Sequence, residues 1–155
     1  MRQFKTEKEA CDWCIREGNI LTDQEVDRER ISANLTIAKE DFQSAKDAAE
    51  KKRWNSAYKI HYDVLHQLAE AYLRVDKIKS RNHHCLFAYL CAKCPELEFD
   101  WGFLEKVRTK RNGVNYYGIL IQEKDWKETQ LQFQLYIKTL QTWVEKYLES
   151  TKERS

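Results

Sequence analysis

Along most of this chain apolar residues return every three or four positions, the spacing of a helix with one buried face. One stripe is Ile31, Leu35, Ala38, Phe42, Ala45 and Ala49, at steps of 4, 3, 4, 3 and 4. Thr22-Asp23 offer capping side chains ahead of it, and Lys51-Lys52-Arg53 set cations at its negative end. A second stripe, Ala57, His61, Leu65, Leu68, Tyr72 and Val75, follows an Asn55-Ser56 cap. The last is the cleanest: Asp125 and Glu128 form a capping pair, and Trp126, Gln130, Phe133, Ile137, Leu140, Val144 and Tyr147 repeat behind it.

Shorter segments fill the gaps. Thr6 to Glu17 reads as a helix with Ala10, Trp13 and Cys14 on one face, stopped at Gly18-Asn19. Asp76 to Arg81 is a polar connection. A helix from about Asn82 to Cys94 stops at Pro95. Asp100 caps the next, in which Leu104, Val107 and Arg111 share a face and whose end Gly113 and Gly118 bracket. Ile119-Leu120-Ile121, only three residues long, reads as loop packing rather than a strand, and the polar tail Glu149 to Ser155 is expected to fray. The pattern predicts an all-α fold: an up-and-down bundle of four long antiparallel helices with extra short helices, one domain over residues 1–155 with its core at about 22–148.

Composition agrees with that reading and narrows the function. The 155 residues include only four glycines and one proline, with 42% apolar and 34% charged residues. A net charge of +2 does not by itself argue for nucleic acid, so any basic partner surface is local. Residues 1–10 carry no apolar core, and no apolar run approaches a spanning length, so neither a leader nor a membrane segment is expected. Five cysteines without a leader predict reduced thiols in the cytoplasm.

Three groups of residues offer chemistry. Arg108-Thr109-Lys110-Arg111-Asn112 followed by Tyr116-Tyr117 combines cations, an amide and phenols, a set suited to RNA phosphate and base. Arg111 falls on an apolar stripe, where it must reach a cleft, a phosphate or a carboxylate; Asp63 and Glu70 are the acids that would make it structural. His61, His66, His83 and His84 are candidate acids and bases, although packed helix-face histidines are commoner. Cys11-Cys14 and Cys91-Cys94 are two CxxC pairs; on helices they fit either zinc between two helices or plain packing, and Cys85 belongs to neither. The expectation is no metal and no cofactor.

Taken in order, LTIAKEDFQSAKDAAEKKRWNSAYKIHYDVLHQLAEAYL, RNHHCLFAYL and LEKVRTKRNGVNYYG resemble the HEPN domain family in its stand-alone prokaryotic branch, over about residues 6–148. The resemblance implies a helical bundle that is a homodimer with a cleft at its seam. Many relatives are metal-independent ribonucleases, often toxins paired with a small nucleotidyltransferase-like antitoxin. The family motif is arginine, a polar residue, a short spacer and histidine. Arg111 and Asn112 match its start, and Tyr116 or Tyr117 stands where the histidine would be. A phenol is a poor base at neutral pH. The resemblance therefore implies a nucleotide- or RNA-binding module lacking the usual ribonuclease histidine, with Arg111, Asn112, Tyr116 and His83 at the centre and Arg108, Lys110, Tyr117 and His84 around them. The alternatives are a ribonuclease using Arg111 with His83 or His84, and a non-catalytic partner of a nucleotidyltransferase.

Overall fold

The computed structural model describes residues 3–152. In chain order its elements are α1 (Glu7–Arg16), β1 (Ile20–Thr22), α2 (Arg28–Glu50), α3 (Trp54–Arg74), β2 (Ile78–Ser80), α4 (His83–Lys93), a 3-10 turn (Pro95–Leu97), α5 (Trp101–Tyr117) and α6 (Glu123–Lys152). The fold is mainly helical, as the periodicity predicts, but the long helices are three: α2 with 23 residues, α3 with 21 and α6 with 30. α5 has 17 residues and α4 has 11. No described helix is long and apolar enough to cross a membrane.

α3 lies at the centre because its apolar residues surround it. Tyr58, Tyr62, Val64, Leu65, Leu68, Ala69, Ala71 and Leu73 are all fully buried. α2 and α6 pack on α3 and on each other, α4 and α5 cover another side of it, and α1 packs against α4. Aromatic rings lock the middle: Phe133 of α6 meets Tyr58 at 5.4 Å and Phe103 at 5.5 Å between ring centroids, both edge to face.

Local signals decide most boundaries, with some corrections. Asp100 caps α5 by accepting from Gly102 and Phe103 backbone N–H groups, and Asn82 caps α4 by accepting from Cys85 at 2.8 Å. α5 runs through Gly113 and ends at Gly118, whose φ of +63° is the left-handed conformation that glycine adopts without strain. Thr22-Asp23 do not cap α2; Asp27 does, accepting from Arg30 at 3.0 Å. Residues 20–22 and 78–80 instead pair as a two-stranded antiparallel ladder, Leu21 opposite Lys79. Neither strand is long enough to show alternation, so only the meeting of two distant segments reveals it. Asn55 does not cap α3 either, since Arg53 is its N-cap residue; the Asn55 side chain accepts from the Ile121 backbone at 2.7 Å and pins the α5–α6 connection. The tail expected to fray is helical to Lys152, and Arg28 donates to the Leu148 carbonyl at 2.8 Å. Residues 153–155 lie outside the described residues.

Candidate functional site

The first turn of α4 faces the last turns of α5 across a cleft of about 460 Å³, within the usual range for a small-molecule site. Asn82, His83 and His84 line it from α4, and Arg108, Arg111, Asn112 and Tyr116 from α5. Phe4 and Trp13 close it from the N-terminal side. The Asn82 cap sets His83 and His84 at the first two positions of α4. On α5, residues 108, 111 and 112 are three and four apart and share a face. Six of the eight residues singled out from the sequence thus meet in one place. Lys110 turns away to an ion pair with Asp125 at 2.6 Å, and Tyr117 is 80% exposed outside the cleft.

Arg111 has both a structural partner and a place in the cleft. Its Nη2 donates to Asp63 Oδ1 of α3 at 3.1 Å, and its guanidinium lies 5.4 Å from the centre of the Tyr62 ring. Its Nε is buried without a hydrogen-bond partner. Glu70, the other candidate acid, is engaged by Arg30 and Arg74. Arg108 donates to both oxygens of Glu105 at 3.0 Å, and Glu105 Oε1 also accepts from His84 Nδ1 at 3.2 Å. Burial opposes the charge on Glu105, but hydrogen bonds from His84 and Arg108 outweigh it and hold the carboxyl near 2. An ionised Glu105 fixes the proton of His84 on Nδ1. In the neutral ring Nε2 then carries a lone pair, and it too is buried and unpartnered.

The other histidines differ. His83 Nδ1 lies 3.1 Å from the Tyr62 hydroxyl, and its ring stacks on His66 with centroids 3.7 Å apart. Burial lowers the His83 pKa, helped by the Arg111 charge, and lowers His66 to about 4. Stacked rings at that distance cannot both carry a proton cheaply. His61 faces away into the core: its Nδ1–H donates to the Ala57 carbonyl at 2.7 Å, Trp126 lies 4.5 Å from its ring, and burial lowers it to about 4.

The thiols depart from expectation. Cys14 and Cys85 form a disulfide, so the chain does not hold five reduced cysteines. The pairing takes one cysteine of the first CxxC and the unassigned Cys85, which splits the zinc arrangement. Cys11, Cys91 and Cys94 remain free, and burial pushes Cys91 and Cys94 up to about 12. Among the described residues no cluster of three or more His, Cys, Asp or Glu is arranged to hold a metal.

Sequence reasoning missed Glu105, Asn82, Trp13 and Phe4. Glu105 carried a signal, since it stands three residues before Arg108 on one helix. Phe4 carried none: its role depends on where the chain ahead of α1 comes to rest. No protein-family model, curated protein or solved structure matches the chain.

Proposed function

We propose that this chain is a HEPN-like module that binds single-stranded RNA or a ribonucleotide in the cleft between α4 and α5. The observation that carries the reading is the composition of the cleft wall. Two guanidiniums, two imidazoles and two amides line it, and no carboxylate is among the lining residues. Asp63 and Glu105 stand behind the arginines and orient them. Such a wall favours a polyanion with base and sugar edges. Arg111 contacts phosphate, Asn112 supplies an amide, and Tyr116, 75% exposed at the rim, offers a stacking face. Tyr117, Ile119 and Leu120 are exposed beside that rim, which supports self-association of two copies at the cleft mouth.

The test is anisotropy of labelled single-stranded RNA, and of DNA of the same sequence, at 50 and 200 mM salt. With two phosphates neutralised the slope against log salt is roughly −1.4, so RNA affinity falls about sevenfold over that range. The absence of binding, or binding indifferent to salt, refutes the reading.

One observation favours a second reading, a metal-independent ribonuclease. His84 is oriented by an ionised carboxylate, as a general base is, and shares the cleft with Arg111. This reading takes His84 rather than His83 as the base, because His83 is stacked and tied to Tyr62. It requires RNA cleavage in the presence of chelator that His84→Ala lowers by about 10²–10⁴. Cleavage that survives the substitution comes from another protein.

A further inference from the structure

We propose that the groove between α2 and α6 docks an amphipathic helix of a partner protein, one that carries carboxylates beside its apolar stripe. The proposal goes beyond the binding reading, since the groove shares no lining residue with the cleft.

α6 turns Phe133, Ile137, Leu140 and Val144 into the core, which is the stripe that a helix packed on one side needs. Leu131 and Leu135 are not on it. They stand one turn apart on a second face, 80% and 61% exposed. A single exposed leucine is ordinary, but two on successive turns beside an aromatic ring make a continuous apolar surface. That ring is Phe42 of α2, itself buried, which underlies a groove of about 430 Å³. Leu131, Gln134, Leu135 and Lys138 line it along about two turns of α6.

The charge around the groove selects the occupant. Lys46 of α2 and Lys138 of α6 both line it, and their ammonium groups lie 4.7 and 5.8 Å from the centre of the Phe42 ring. No carboxylate is among the lining residues, and neither lysine forms an ion pair with a described residue. Other lysines on the same two helices do: Lys39 meets Glu145 at 3.5 Å, and Lys127 meets Glu123 at 3.2 Å. The groove thus joins apolar contact to two cations that nothing in its wall offsets. A helix with leucine-type side chains at i, i+3 or i+4, and i+7 fills such a groove, and Asp or Glu beside that stripe meets the lysines. A second copy seated face to face would bring four lysines together with no lining carboxylate, which argues against self-pairing. A bilayer is flat, and a concave seam between two helices gives it little contact.

The experiment titrates the full chain into two labelled, alanine-based helical peptides of about 18 residues and follows anisotropy at about 50 mM salt. Both peptides carry leucine at i, i+3, i+4 and i+7; one has glutamate flanking that stripe, and its twin has lysine. The glutamate peptide is expected to bind with a Kd on the order of 100 μM, at least about tenfold tighter than its twin. Leu131→Gln with Leu135→Gln, surface changes that leave the core intact, is expected to weaken it at least about tenfold. Lys46→Glu with Lys138→Glu is expected to reverse the preference between the two peptides. No binding of the glutamate peptide at about 1 mM overturns the proposal, as does equal affinity for the twins. So does full affinity in the leucine variant, which would place the peptide elsewhere, among the arginines of the cleft for example. Sedimentation velocity and flotation with phosphatidylserine vesicles complete the test. A dimer that the leucine variant turns into monomer assigns the groove to a second copy, and vesicle binding lost in that variant assigns it to a lipid surface; either result overturns the proposal.

Discussion

Replacing Arg111 with alanine separates a scaffold arginine from a site arginine, because the structure assigns different sizes to the two effects. The guanidinium makes one ion pair, to Asp63 at 3.1 Å, with side-chain exposures of 21% and 41%. A pair reaching water on that scale contributes about 0.5–1 kcal/mol. Contact with the Tyr62 ring adds about 0.5–1 kcal/mol. Removing Arg111 also removes its buried, unpartnered Nε, which costs the native protein about 1–3 kcal/mol and so offsets the loss. The terms sum to between about 2 kcal/mol of stabilisation and about 1 kcal/mol of destabilisation, so any drop in Tm is about 4 °C or less for a chain of this size. A sealed pair would lose about 3–5 kcal/mol and about 10 °C or more. The proposed phosphate contact would be worth about 1.5–3 kcal/mol, or roughly tenfold to 150-fold in affinity. Thermal melts followed by circular dichroism, paired with RNA titrations at 20 °C, measure both. A fall of more than about 10 °C with RNA affinity intact in the folded fraction would refute the reasoning and make Arg111 a structural residue.

Two further outcomes follow from the core and from a helix end. His61 is lowered from 6.5 to about 4 by burial, so below pH 6.5 the unfolded chain takes up a proton that the folded one refuses. Stability is therefore full above the unfolded pKa and falls as pH drops from 6.5 towards 4. Urea titrations of His61→Phe should lose about 2 kcal/mol less between pH 7 and 5 than the parent, and an identical fall in both proteins would clear His61 of that role. Gly118→Ala places a Cβ at φ +63° and should cost about 1 kcal/mol, or about 2–4 °C, although nothing lies within 4 Å of the added atom. An unchanged melting point there would mean that the end of α5 relaxes to negative φ.

The helices were legible because their causes are local. The stripe from Ile31 to Ala49 predicts α2, the Asp100 cap predicts where α5 begins, the helix expected from about Asn82 matches α4, and Arg108 and Arg111 lie together by helical spacing alone. All of this follows from interactions within a few residues of chain. The sequence offered Asp63 or Glu70 as the structural partner of Arg111, and the structure chooses Asp63. What it could not decide is which faces meet. The cleft exists because α4 packs beside α5, and its aromatic wall because Phe4 comes to rest on His84, 80 positions away. The ladder of β1 with β2 and the bond between Cys14 and Cys85, 71 residues apart, likewise join segments that share no local pattern. Periodicity sets the shape of each helix, but burial is settled only when all helices choose their neighbours together, and that choice belongs to the tertiary structure.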